Sequence, residues 1–145
     1  MTCSAKIASD DGEHVYCGVR PRSPKLLRLY ADADVFVLPT PGDCLAAVLG
    51  EAMASSLPII TTRVGAHAEA VREGESGFVI DVDDAEALQS RLGLLAKNPD
   101  LCARLGARSR QIGEERFDMT KNANRIADLL LEMLQTGRAR SNGRS

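Results

Sequence analysis

Aromatic side chains are nearly missing from this 145-residue chain, which has no tryptophan, 2 tyrosines and 3 phenylalanines. Platforms that stack single-stranded nucleic acid need several such rings, so that class of function is disfavoured. A surplus of positive charge is missing too: 18 basic residues stand against 20 acidic ones, a formal net charge of −2. No polybasic lobe supplies the electrostatic footprint of a nucleic-acid binder, and nucleic acid is not an expected partner. The longest charge-free run, 52–62, is far too short to span a bilayer, so no transmembrane segment is expected. The opening residues Met1 to Asp10 lack the apolar stretch of a secretory signal, which makes the cytoplasm the expected compartment. Cysteines are few: Cys3, Cys17, Cys44 and Cys102 form no C-x-x-C pair and match no histidine spacing. They read as free thiols, and neither a metal nor a cofactor is expected.

What is present is a strand and helix alternation. Apolar residues make up 44% and charged residues 26%, ordinary for one soluble domain. His14–Val19 reads as a short strand. Ser23 before Pro24 is an N-cap followed by proline at the first helical position, predicting a helix over 24–32. Val35-Phe-Val-Leu-Pro39 is apolar throughout, as a strand buried on both faces should be. The cluster Thr40-Pro-Gly-Asp43 is a turn, and 44–55 reads as a helix. Leu57–Thr61 is a second buried strand, 66–73 a short helix and Phe78–Ile80 a third buried strand. Asp83 with Glu86 suggests a capping box for a helix over 84–97. Helices over 99–115 and 119–135 follow, the last capped by Asp118 and burying Ile126, Leu129, Leu130, Met133 and Leu134. Residues 1–13 read as an extension and 136–145 as a flexible basic tail. Strands alternating with helices predict an α/β fold, a doubly wound parallel sheet. Such sheets bind ligands beyond the carboxyl ends of their strands, here the loops 40–44 and 62–66.

One residue stands out chemically. Between Asp43 and Arg63 the only charged residue is Glu51, set in an apolar helix. A carboxylate there is expected to be partly buried and to need donors; the plainer alternative is a glutamate on the solvent side of a half-exposed helix. Asp43 lies just before the same helix, whose first N–H groups form a natural anion site. A carboxylate, an anion cradle and a second carboxylate in line suit a ligand laid out as polyol, diphosphate, polyol. His67, at the start of the short helix, is expected at the surface.

The ordered motifs over 27–80 resemble the donor-binding half of the retaining GT-B glycosyltransferases of the group 1 family, with its E-x7-E pair. The matching pieces are Leu29-Tyr-Ala-Asp-Ala-Asp-Val-Phe-Val-Leu-Pro-Thr40 and Glu51-Ala-Met-Ala-Ser-Ser-Leu-Pro-Ile-Ile-Thr61. Val64-Gly-Ala-His-Ala-Glu-Ala-Val71 and Gly74-Glu-Ser-Gly-Phe-Val-Ile80 follow in the family's order. The resemblance covers roughly 14–135 and implies a Rossmann-like half of a GT-B fold that lacks its first two strands. It also implies a nucleotide-diphosphate sugar as donor substrate and transfer of the sugar with retention. Glu51 would accept hydrogen bonds from the ribose hydroxyls, and Asp43, in place of the family's first glutamate, would hold hydroxyls of the sugar. The N–H groups of Cys44, Leu45, Ala46, Ala47 and Val48 would face the sugar and diphosphate, and Gly65 matches the first glycine of the next loop. No catalytic residue is assigned.

The sequence departs from the family pattern in several places. Asp43 is one methylene shorter than glutamate, which removes about 1.5 Å of reach. Cys44-Leu45-Ala46 replaces G-F-G, while Ala66 and Ser56 each replace a glycine. The resemblance further implies that the acceptor domain and the basic residues that clamp the leaving diphosphate lie outside this chain. The alternatives are a non-catalytic nucleotide-sugar-binding module, the donor subunit of a two-chain transferase whose partner supplies the acceptor domain, and a nucleotide-sugar epimerase. A sheet without its first strands also leaves an apolar edge at 35–38, a surface for self-association.

Overall fold

A computed structural model describes residues 19–45 and 47–142, with 136–142 described by backbone alone. The chain divides into two compact units, Met1–Asp34 and Val35–Ser145. In the first, α1 spans Pro24–Ala31. Ser23 accepts a hydrogen bond from the Leu26 amide at 3.3 Å and Pro24 occupies the first turn, as the sequence predicts. Residues 14–18 of the expected strand and the extension at 1–13 lie outside the described residues, and Val19 is not in a strand.

The second unit is built on a parallel sheet of β1 (Phe36–Leu38), β2 (Ile59–Thr62) and β3 (Gly77–Ile80), in that spatial order. The register sets Val37 beside Ile60 and Ile60 beside Phe78. Between and after the strands come α2 (Ala47–Ala54), α3 (His67–Ala70), α4 (Ala85–Ala96), α5 (Pro99–Arg116) and α6 (Met119–Asn142). β2 and β3 are buried along their whole length. β1 is only half-buried, contrary to its sequence pattern, because among the described residues it pairs with a strand on one side alone.

Ile60, Phe78, Ile80, Leu95 and Leu105 form a buried cluster, with Val35, Val37, Leu88 and Leu101 packed around it. α5 also reaches α2, where a methyl on Gly113 would press on Met53. Gly106 of α5 lies against the backbone of Ser56, and any side chain there would overlap the Ser56 carbonyl. Ser56 itself has φ 59°. Its amide bonds to Met53 O at 3.0 Å, and the next amide, of Leu57, to Ala52 O at 3.1 Å. This is a Schellman end for α2 with a serine where glycine is preferred, which explains physically why the related pattern carries glycine there.

Three boundaries differ from the sequence reading. α4 is capped by Asp84, which accepts from the Ala87 amide at 2.8 Å, and not by Asp83, which turns the chain with φ 62°. α3 is a single turn because Val71 is already extended. α6 runs on to Asn142, and its apolar face is open: Ile126, Leu129, Leu130, Met133 and Leu134 are all more than half exposed. The expected burial of that face fails because α6 leaves the domain after its first turn. That turn is held by Lys121 Nζ on Glu114 O and by Asn122 on Arg116 O. No described helix is long and apolar enough to cross a membrane.

The outer edge of β3 is closed by a side chain. Glu73 accepts from the Val79 amide at 2.7 Å and pairs with Arg91 at 3.2 Å, while the Arg91 guanidinium lies 4.6 Å from the centre of the Phe78 ring. Glu73→Ala leaves that largely buried amide without its acceptor and should lower stability by about 1–2 kcal/mol in urea unfolding. An unchanged midpoint would show that water replaces the carboxylate without loss.

Candidate functional site

The carboxyl ends of β1 and β2 and the loops that follow them are joined by hydrogen bonds. Thr61 donates to Leu38 O at 3.1 Å, and the Thr62 hydroxyl donates to Thr40 O. Ala66 N donates to Cys44 O at 2.7 Å, tying the loop after β2 to the loop after β1. Thr40 Oγ1 bonds to both the amide and the carbonyl of Gly42, which makes the first loop a tight turn. Gly65 sits at the junction with φ 46°, and any side chain there would overlap the carbonyl oxygens of Asp43 and Cys44. Glycine is therefore required twice over, by conformation and by space.

His67 is wholly buried, which overturns the expectation of a surface histidine. Its Nδ1 lies 2.9 Å from Thr61 Oγ1. The same Thr61 hydroxyl lies within hydrogen-bond distance of Leu38 O, so it bridges His67 and the end of β1. The result is a chain of bonds from α3 through β2 to the end of β1, beneath the loops. The sequence held a signal for it: His67, Ala70 and Val71, at i, i+3 and i+4, are the residues that turn inward.

Of the sequence-predicted site residues, Asp43 and Cys44 are exposed on the first loop and Gly65 faces them from the second. Leu45, Ala47 and Val48 are exposed around the start of α2, and Ala46 lies outside the described residues. The helix begins at Ala47, three residues later than predicted. Cys44 and Leu45 are thus loop residues, and the Cys44 carbonyl is already taken by Ala66. By helix geometry the first N–H groups of α2, those of Ala47, Val48 and their successors, have no partner within the helix. Glu51 is half-buried, and lies one turn on, about 6 Å along the axis from Ala47. It sits opposite the inward face formed by Leu49, Ala52 and Met53, so both readings of this residue are partly met: it shares the outer face and is still half-covered. The structure therefore brings Asp43, the start of α2, Glu51 and Gly65 to one end of the sheet. Arg63, which the sequence reading passed over, stands at the same end and pairs with Asp81 at 3.4 Å on the surface. Among the described residues no cluster of histidine, cysteine and carboxylates could hold a metal.

The family described as glycosyl transferases group 1 matches residues 4–98, more than half of the chain. The chain belongs to this family. It is 34% identical over 122 residues to spore coat protein SA of Bacillus subtilis, a match that covers 83% of this chain and 31% of that one. It is 31% identical over 134 residues to a GDP-mannose-dependent phosphatidylinositol monomannoside mannosyltransferase of Mycolicibacterium smegmatis, covering 86% and 35%. The sucrose-phosphate synthase of Thermosynechococcus elongatus superposes with a TM-score of 0.69 at 26% identity, over 74% of this chain and 27% of that chain. HepE of Anabaena, solved in complex with UDP, gives 0.69 at 23% identity over 72% and 29%, a likeness of fold. These GT-B neighbours confirm the Rossmann-like half that the motif order implied. The chain spans between 20% and 35% of the length of the curated relatives it matches.

Gly65→Ala tests the junction of the two loops. The strain of a left-handed alanine and the overlap with two carbonyls should together lower stability by about 2–4 kcal/mol. Faster amide exchange at Ala66 should accompany it. A variant with the wild-type denaturation midpoint would mean that the loops are not locked together.

Proposed function

We propose that this group 1 glycosyltransferase chain binds a nucleotide-diphosphate sugar at the carboxyl end of its sheet, as the donor half of a transferase that retains the configuration of the sugar. The observation that carries the reading is the joining of the two loops beside the start of α2, with Asp43 preceding the first N–H groups of the helix along the chain and Glu51 one turn inside it. Those N–H groups suit a diphosphate, which helix starts bind through aligned dipoles and donors. Glu51 suits the ribose hydroxyls, because a half-covered carboxylate gains from accepting two donors. Asp43 suits the hydroxyls of the sugar. The loop residues Cys44 and Leu45 line the approach, while Ala47 and Val48 supply amides. No cofactor is assigned, the sugar nucleotide being substrate, and the proposed compartment is the cytoplasm. The UDP held by the similarly folded HepE supports a nucleoside diphosphate as the first ligand to try.

Calorimetry with nucleoside diphosphates and their sugar conjugates tests this. Glu51→Ala should weaken binding of the diphosphate by about 1.5–3 kcal/mol, the scale of hydrogen bonds to a charged group. Asp43→Ala should affect the sugar conjugate more than the bare diphosphate. If Glu51→Ala binds as wild type does, the ribose assignment is wrong.

The 145-residue chain by itself should bind donor without transferring it. Transfer requires donor and acceptor to be held within reacting distance, and the matched relatives are about three to five times longer than the part this chain spans. Turnover of a labelled nucleotide sugar onto an acceptor by the purified chain alone would refute this.

A further inference from the structure

His67 is a fully covered imidazole that the proposed binding of a sugar nucleotide does not use. Its turn of helix, α3, is four residues long, and no side chain caps its start at Ala66. A single turn is not stable by itself, so ties to the rest of the protein set its position. Burial of Ala70 and Val71 already seats it inward. An apolar side chain at position 67 would serve that purpose without taking a polar ring out of water. Histidine there calls for a reason beyond packing.

The reason lies in what the imidazole joins. Nδ1 lies 2.9 Å from Thr61 Oγ1, and the same hydroxyl reaches Leu38 O at 3.1 Å. Directly before His67 in the chain, the Ala66 amide donates to Cys44 O at 2.7 Å. Together these contacts close a ring. It runs along the chain from Leu38 to Cys44, crosses to Ala66, passes to His67 and returns through Thr61 to Leu38. The ring takes in the first loop with Asp43 and leads into α2 at Ala47. Closing a ring removes freedom from every residue within it. The bond from His67 to Thr61 is its one link between two side chains. Opening that link releases the start of α3 from β2 at the point where the Ala66 amide is aimed at Cys44.

We infer that His67 is a positioning residue for ligand binding: through Thr61 and Ala66 it holds the first loop and the start of α2 in the geometry that receives a nucleoside diphosphate. The inference rests on the reading of the ligand end proposed above. Being wholly covered, His67 touches no ligand that arrives from solvent, and it acts only through the backbone above it. Preset loops favour affinity because little ordering remains to be done on binding. The ring also separates two quantities that usually move together. Leucine has about the volume of histidine and suits a covered position beside Ala70 and Val71. With leucine at 67, the Thr61 hydroxyl keeps Leu38 O as its partner. The fold then loses little, while the ring is opened.

Three variants of the full chain test this, each followed by urea unfolding, amide exchange and calorimetry with UDP and GDP. His67→Leu should unfold near the wild-type midpoint. It should nevertheless exchange its Ala66 amide about tenfold faster and bind the nucleotide about tenfold more weakly, the scale of one hydrogen bond. His67→Asn carries its amide group as many bonds from the backbone as Nδ1, and that group can donate or accept, so it meets Thr61 whichever way the bond runs. Being smaller, asparagine should unfold at lower urea than leucine, yet recover most of the Ala66 protection and of the affinity. Thr61→Val opens the same ring from the other side and should loosen Ala66 and weaken binding as His67→Leu does, which keeps the test in force if the leucine variant does not fold. Leucine as the more stable variant and asparagine as the better binder is an order that packing alone does not produce. Affinity and Ala66 protection that fall in step with the unfolding midpoint across the variants would overturn the inference. So would a His67→Leu chain that binds and protects as wild type does. A wild-type chain that takes up neither nucleotide would instead refute the reading on which the inference rests, so the two failures are distinct.

Discussion

The middle strand β2 is the constraint on which the ligand end depends. It is buried along its whole length, so every backbone polar group on it must find a partner inside the protein. The parallel ladders to β1 and β3 meet that demand in the strand itself. Its last two side chains carry the same logic outward. Thr61 and Thr62 are buried hydroxyls, and each is satisfied by a backbone carbonyl at or just beyond the end of β1. The position of the first loop is thus a consequence of satisfying buried polar groups on the neighbouring strand.

The second loop is held by a different mechanism. Gly65 brings backbone against backbone, and the Ala66 amide then reaches the Cys44 carbonyl. His67 completes the frame from below, hydrogen-bonded to the same Thr61 that reaches β1. A hydrogen-bonded imidazole is an unusual residue for a fully covered position, and its conformational freedom is spent on holding three elements together. The arrangement gives the start of α2 fixed surroundings, and fixed surroundings favour binding because little ordering remains to be done when a ligand arrives.

The domain is uneven in how it uses its apolar residues. β2, β3, α4 and α5 concentrate them in one cluster, and α2 is sealed by its contacts with α5. α6 holds several of the largest apolar side chains, and all of them face water. The same chain therefore combines a tightly satisfied ligand end with a helix whose stability depends on something outside it. β1 lies between these extremes, half-buried, with a single neighbouring strand among the described residues.

Local chemistry alone determined much of this. Ser23-Pro24 and Asp118 mark helix starts because short polar side chains cap free amides wherever they occur. The unbroken apolar runs around Phe36, Ile59 and Phe78 mark buried parallel strands, and their order along the chain is their order in the sheet. The order of strands and loops was enough to put Asp43, Gly65 and the start of α2 at one end of that sheet. Tertiary structure decided what depends on distant neighbours. The spacing of His67, Ala70 and Val71 marks an inward face, but the partner that lets an imidazole be buried there, Thr61 at the end of β2, is supplied by the tertiary fold. The start of α2 moves to Ala47 because the Cys44 carbonyl is taken up by Ala66, twenty-two positions further on. The apolar stripe of α6 encodes a buried face as clearly as any strand here, but periodicity specifies only that a face needs covering. Which surface covers it is a property of the three-dimensional assembly, because hydrophobic attraction has no address of its own.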